Sequence, residues 1–186
     1  TQPEISGIFL SVDGNILKLA ATDRYRLAEK TLKLKEAANS PVQVIMPQRT
    51  ATEISRILGQ SKGDVEVSFA ETQIGFSVDQ TKVVSRLVDG QYPPYQSIIP
   101  ESFTSTVVIP RQQLLGALRA GSVFSQSNQS IQVSFDGAPQ VLEVVSGNTD
   151  LGTSQVEIPV EVTGPAGKLT INHRYLQDCL QATDAE

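Results

Sequence analysis

Ile5-Ser6-Gly7-Ile8-Phe9-Leu10-Ser11-Val12-Asp13-Gly14-Asn15-Ile16-Leu17-Lys18-Leu19-Ala20 is the stretch on which the fold turns. Its apolar residues partly alternate, the period of a strand with one covered face. Asp13-Gly14 stands between the two apolar runs. That pair predicts a hairpin, because glycine tolerates the positive φ of a tight turn. A second version lies downstream. Ile131-Gln132-Val133-Ser134-Phe135 alternates cleanly, Asp136-Gly137 follows, and an apolar run returns at 141–145. Each version is followed by a helix entry, Met46-Pro47-Gln48-Arg49 in one and Ile171-Asn172-His173-Arg174 in the other. Asp13 lies 33 residues before Met46, and Asp136 lies 35 before Ile171. Two matches in register predict an internal repeat. The repeat also predicts that both ends are cut: the first copy lacks a helix before Ile5, and the second lacks the strands after its last helix.

The remaining elements build outward from this repeat. Strands are expected over 24–33 and 42–46, then a helix over 47–58 with Ala51, Ile54, Ile57 and Leu58 on one stripe. Pro47 suits a first helical turn, and Gly59 a helix end. Further strands are expected over 65–69, 73–78 and 82–87. Residues 89–105 hold Pro93, Pro94 and Pro100 and read as an ordered linker. The expected domains are therefore 1–103 and 104–186. The second opens with a helix over 110–120 carrying Leu114, Leu115 and Leu118. A strand over 156–162 contains Pro159, which suggests an edge or a bulge. A short strand over 168–171 and a helix over 172–182 complete it. The fold class is α+β, with antiparallel sheets and helices in repeated units.

Composition narrows the function. The chain has 186 residues, 39% hydrophobic, with 15 Lys and Arg against 20 Asp and Glu. Net charge of −5 excludes a globally basic nucleic-acid binder but leaves room for a local basic face. No apolar run approaches the ~20 residues of a membrane helix. The lone Cys179 excludes an internal disulfide framework and suits a reducing, cytoplasmic setting. Cys179 itself reads as a small buried apolar residue and His173 as a surface or capping residue. No Cys/His/Asp cluster has metal-ligand spacing, so neither metal nor cofactor is assigned. Asp13, Asp89 and Asp136 each precede glycine, and turn formation explains them. Gly164-Pro165-Ala166-Gly167-Lys168 fails as a phosphate loop: its glycines are too close, Leu169 replaces Ser/Thr, and a strand follows. No residue is assigned as catalytic.

Charge is distributed unevenly. The three expected helices carry Arg49, Arg56, Arg111, Arg119 and Arg174 against Glu53 and Asp178, a net +3 inside a chain of −5. Arg49, Thr52 and Arg56 are spaced i, i+3, i+7, opposite the apolar stripe. Arg174, Gln177 and Gln181 repeat the spacing, and Gln112 and Arg119 resemble it. Such a face is either ordinary solvated surface or a sparse cationic lining for a polyanion. Sparse arginine among neutral side chains holds phosphates weakly and reads no bases.

Two further motifs are specific. Ala21-Thr22-Asp23-Arg24-Tyr25-Arg26-Leu27-Ala28, and Leu87-Val88-Asp89-Gly90-Gln91-Tyr92-Pro93-Pro94-Tyr95 with Ile98-Ile99-Pro100, resemble the bacterial sliding clamp family, the beta subunit of DNA polymerase III. The helix entries at Met46 and Ile171 are also similar, so the resemblance covers essentially the whole chain. It implies most of a middle clamp domain and the first part of a C-terminal one. It further implies a non-catalytic processivity factor of DNA replication: a homodimeric ring that encircles duplex DNA with helices inside and sheets outside. Arg49, Arg56, Arg111, Arg119 and Arg174 then become the DNA-facing set, and an acidic exterior keeps DNA off the outer surface.

The resemblance also implies partners. DNA polymerase III catalytic subunit, clamp loader and other clamp-binding-motif proteins would insert a Leu/Phe-bearing peptide into a pocket. The matching positions are Ile5, Thr22, Arg24, Tyr25, Arg26, Leu27, Pro93, Ser97 and Ile98. Ile5, Leu27 and Ile98 offer apolar walls, and Thr22 with the backbone can fix a polar anchor. Arg24-Tyr25 stands where many members have Gly-His, and Ser97 where some have a basic residue. Val123 and Phe124 match the surface that closes the ring. Two other classes stay open: a peptide-binding module that never meets DNA, and a hydrolase using His173 as base.

Overall fold

A computed structural model describes residues 3–125, 129–148 and 152–183. The chain divides into two compact units, Thr1–Ser97 and Ile98–Glu186.

In the first unit, β1 (Ile8–Asp13), β2 (Ile16–Thr22), β3 (Leu27–Lys33) and β4 (Val42–Met46) form an antiparallel sheet ordered β3-β2-β1-β4. Leu10 faces Leu19, and Asp13 faces Ile16, so Gly14-Asn15 makes the turn. Gly14 adopts φ +54°, where a Cβ is strained. The strand expected from residue 24 begins only at Leu27, because Arg24 adopts φ +77° in the β2–β3 turn. Helix α1 (Gln48–Leu58) follows, then a sheet of β5 (Glu66–Phe69), β6 (Gln73–Val78) and β7 (Thr81–Arg86).

One face of the first sheet buries Leu10 and Met46 against Ile54 of α1 and Ile74 and Phe76 of β6. Each such aliphatic side chain contributes roughly 1.5–3 kcal/mol of burial. A hydrogen bond of 2.7 Å between Thr50 and Ser85 also ties α1 to β7. Leu58, expected on the apolar stripe, is exposed, since it ends the helix. The other face of the sheet is covered too. Ala20, Ile45, Tyr92 and Tyr95 are buried there, with Phe9, Leu27 and Val88 against them. The proline-rich segment is thus ordered by its tyrosines: Phe9 stacks on Tyr92 at 5.2 Å, and Tyr95 meets both rings edge-on at 6.1 Å.

The second unit opens with β8 (Thr106–Val108) and α2 (Arg111–Val123). Then come β9 (Ser130–Gly137), β10 (Gln140–Asn148), β11 (Gly152–Pro159), β12 (Glu161–Thr163), β13 (Gly167–Asn172) and α3 (His173–Gln181). Its main sheet is ordered β11-β10-β9-β13. That is the order of the first sheet, strand for strand, and in both units a helix leaves the last strand. The core joins Leu114, Ala117 and Leu118 of α2 to Ile131, Val133, Leu142, Val144 and Ile158 of the sheet.

Four local expectations change here. The strand expected over 156–162 breaks at Pro159, which has no N–H to continue a ladder. Beyond it, β12 leaves the sheet and pairs with β8, a strand too short to show a period. Asp136-Gly137 is not the turn. Gly137 pairs with Gln140, so Ala138-Pro139 forms the corner, and Asp136 Oδ1 accepts the Ala138 N–H at 3.2 Å. Finally, His173 and Cys179 exchange places: His173 is buried and Cys179 exposed. His173, Leu176 and Leu180 share the inward stripe of α3 at i, i+3, i+7, and Cys179 lies beside it.

Candidate nucleic-acid interface and peptide pocket

Helix α1 turns Ile54 into the core and leaves Arg49, Thr52 and Arg56 exposed on the far side. Thr52 is held to its own helix, donating to the Gln48 carbonyl at 3.1 Å. Arg56 is engaged by Glu53 through a fork: Nη2 to Oε1 at 2.6 Å and Nε to Oε2 at 3.3 Å. The hydrogen bond raises the Arg56 pKa and lowers that of Glu53. Both partners are exposed, so water and salt weaken the pair. A phosphate can compete for Arg56, whereas Arg49 makes no ion pair with a described residue.

In the second unit, α2 buries Leu114, Leu115, Ala117, Leu118 and Gly121 and exposes Arg119. Helix α3 starts with Asn172, whose side chain accepts the Arg174 N–H at 2.9 Å as an N-cap. The Arg174 side chain is exposed. Neither Arg119 nor Arg174 pairs with an acid among the described residues. Arg111 differs: it is half-buried, and its Nε donates to the Leu180 carbonyl at 2.6 Å. Gln177, grouped by spacing with the exposed face, is half-buried, and its Oε1 lies 3.3 Å from His173 Nδ1. His173 Nε2 lies 3.5 Å from Ser125 Oγ. A serine and a histidine thus meet, but an amide stands where an orienting carboxylate would be needed. Among the described residues, no three His, Cys, Asp or Glu side chains converge as metal ligands. No described helix is long and apolar enough to cross a membrane.

The residues Thr22, Arg24, Tyr25, Arg26 and Leu27 are brought together by one turn. Thr22 Oγ1 accepts the Arg24 N–H at 3.1 Å and donates to the Arg26 carbonyl at 2.7 Å. Asp23 Oδ1 accepts the N–H groups of Tyr25 and Arg26 at 3.1 and 3.0 Å. Asp23 Oδ2 takes the Arg26 Nε at 2.9 Å. Slight burial opposes the charged carboxylate, but these bonds together lower the Asp23 pKa. A tightly hydrogen-bonded turn results, with Tyr25 81% exposed and Leu27 half-buried on the aromatic cluster. Ile5 is half-buried, Pro93 is exposed, and Ser97 Oγ donates to the Pro94 carbonyl at 3.0 Å. Ile98, 66% exposed, belongs to the second unit. Val123 is exposed at the end of α2, and Phe124 is half-buried, its N–H on the Gly121 carbonyl.

Sequence reasoning missed the platform beneath Leu27. Tyr95 donates to Glu29 Oε2 at 2.5 Å. Burial first, and then this bond, pushes its pKa up to about 12. Burial also raises the Tyr92 pKa; the Thr22 backbone opposes it without meeting hydrogen-bond geometry. The visible signal was the spacing of Tyr92 and Tyr95, which puts both rings on one side of a tight segment. A groove of about 440 Å³ runs between these tyrosines, Ile45 and Val88. Of the expected pocket positions, it includes only Pro93.

Comparison with known proteins decides the family. The central domain of the DNA polymerase III beta subunit matches residues 1–94, and its C-terminal domain matches 96–186. The chain belongs to the DNA polymerase III beta-subunit family. That family is a processivity factor and not a catalytic chain. A beta sliding clamp from Staphylococcus aureus (strain Mu50 / ATCC 700699) is 27% identical over 185 residues, which is 99% of this chain and 49% of that protein. The sliding clamp of Bacillus subtilis superimposes with a TM-score of 0.93 at 26% identity, over 100% of this chain and 49% of that one. A Pseudomonas aeruginosa clamp with ligand gives 0.91 at 28%, over 100% and 50%. Another clamp from that organism, bound to griselimycin, gives 0.89 at 27%, over 98% and 49%. The chain spans about half the length of the curated relatives it matches.

Proposed function

We propose that the chain is part of a homodimeric ring clamp that encircles duplex DNA, slides without sequence preference and tethers DNA polymerase III and its partners. One observation carries the reading. The helices expose Arg49, Arg119 and Arg174, with Arg56 exposed in a weak pair, on a chain otherwise strongly acidic. Few cations separated by Thr and Gln lower the free energy of the phosphates without creating one preferred register. The barrier between successive positions is then small, and the ring moves. Acidic charge elsewhere repels the duplex and favours the lined face. The domains on this reading run 1–103 and 104–186, and the setting is the cytoplasm.

The tethering role rests on the Thr22–Leu27 turn. Its internal hydrogen bonds hold the backbone before a partner arrives, so little ordering is lost on binding. Leu27 presents an apolar wall, and Ile5, Pro93 and Ser97 complete the proposed pocket with Arg24, Tyr25 and Arg26. Val123 and Phe124 supply the ring-closing contact.

Two measurements test this. Arg49→Ala with Arg56→Ala in the assembled clamp should reduce the slope of log affinity against log salt by roughly 1–2, about 0.9 per phosphate released. An unchanged slope removes both residues from the DNA face and favours a peptide-binding module. Leu27→Ala should weaken a Leu/Phe-bearing clamp peptide by about tenfold or more, as an apolar anchor site does. Equal affinity by calorimetric titration takes Leu27 out of the pocket.

A further inference from the structure

We infer that Arg111 is a positioning residue that pins α3 against α2, and that the phosphate contacts of this helix pair come from Arg119 and Arg174. The second half of the inference rests on the DNA-facing reading above; the first does not.

The argument begins at the end of α3. The last carbonyls of a helix have no partner within it. Here Ala182 N–H reaches the Asp178 carbonyl at 3.0 Å, and Thr183 Oγ1 donates to the Cys179 carbonyl at 2.8 Å. The next carbonyl, Leu180, is taken by Arg111 Nε at 2.6 Å, from 69 residues away. A helix C-terminus carries partial negative charge and stabilises a cation; a helix N-terminus does the opposite. Arg111 is the first residue of α2, where its charge is locally unfavourable. No acidic residue in the first turn of α2 relieves it. The end of α3 does, so the Arg111 side chain has a structural partner that those of Arg119 and Arg174 lack among the described residues.

The opposite end of the pair is tied as well. His173 N–H donates to the Gln129 carbonyl at 3.0 Å, and its ring lies against Ser125, just past α2. The two helices therefore run antiparallel, with Leu118 of α2 and Leu176 of α3 in one core cluster. Arg119 lies near the end of α2, and Arg174 in the first turn of α3, so both fall at the His173 end. Along α2, Arg111 is about 12 Å from Arg119 at 1.5 Å per residue. The register of α3 on α2 sets how far apart Arg119 and Arg174 stand, and Arg111 holds that register at its far end.

The test uses Arg111→Ala, Arg111→Lys and Arg119→Ala in the assembled clamp. In DNA-free protein, NMR should show the Arg111 Nε–H protected from solvent exchange, and the Arg119 Nε–H exchanging freely. Arg111→Ala should lower the melting temperature by about 2–4 °C. Arg111→Lys should not restore it, because a lysine has no planar Nε–H to reach the Leu180 carbonyl. The DNA salt slope should fall by about 0.9 in Arg119→Ala and stay unchanged in both Arg111 variants. Fast exchange of the Arg111 Nε–H, full rescue by lysine, or a slope loss in Arg111→Ala equal to that of Arg119→Ala would overturn the inference. A slope unmoved in Arg119→Ala would instead sink the DNA-facing reading, while the exchange and melting data still decide the pin.

Discussion

The two units carry the same four-stranded sheet order and cover the faces of that sheet differently. In the first, the sheet buries both faces, one against α1 and β6 and the other against Phe9, Tyr92 and Tyr95. In the second, buried residues gather in one cluster between the sheet and α2. The helices differ as well. In the first unit α1 is tied to β7 through Thr50 and Ser85 and leaves Arg49 exposed, with Arg56 exposed in a pair with Glu53. In the second, α2 and α3 are tied to each other at both ends, and one arginine is used up in doing so. Equal topology therefore does not mean equal availability of charge.

The comparison can be broken at its cores first. Ile74 and Leu118 are both fully buried, one in each unit. Ile74→Ala and Leu118→Ala should each cost about 2–5 kcal/mol, read by chemical denaturation. If the units are independent, probes in one should report the loss and probes in the other should not. A single shared transition for both variants would mean that the units unfold together.

The hairpin tips come next. Gly14 sits at positive φ and Gly137 does not, and neither would have a neighbour within 4 Å of an added Cβ. Gly14→Ala should destabilise by about 1–2 kcal/mol, the cost of a left-handed non-glycine residue. Gly137→Ala should change stability little. Equal effects would show that the two turns are alike after all.

The smallest effect belongs to the aromatic layer. Tyr95→Phe should cost about 0.5–1.5 kcal/mol through the lost bond to Glu29. It should also alter the alkaline limb. Because the folded pKa of Tyr95 is raised to about 12, its contribution is complete below pH ~10, the ordinary tyrosine value, and is lost as pH rises through 12. The Phe variant should lose less stability over that window. Parallel pH curves for both proteins would remove Glu29–Tyr95 as the cause.

Much of this was readable in one dimension. The alternation in Ile131–Phe135, the stripe Ala51, Ile54 and Ile57, and the helix entry Ile171-Asn172-His173-Arg174 all act within a few residues, where period and backbone preference decide. Arg49, Arg119 and Arg174 were legible for the same reason: they stand opposite apolar positions on their own helices. Other features depend on residues far apart in the chain. Arg111 looked like any exposed arginine until Leu180 came beside it. Tyr92 and Tyr95 looked like linker residues until the sheet face away from α1 received them. The displaced turn at Ala138-Pro139 and the β8–β12 pair likewise depend on partners across the sheet.

Periodicity and residue chemistry were enough to specify a repeated α+β chain, its hairpins and its arginine-bearing helices. Packing in three dimensions alone decided which cations remain available, which tyrosines form core and where Pro159 sends the chain. The reason is one of range: dihedral preference and amphipathic period act over a single turn or strand, whereas burial and hydrogen-bond satisfaction are settled by whatever long-range contact arrives.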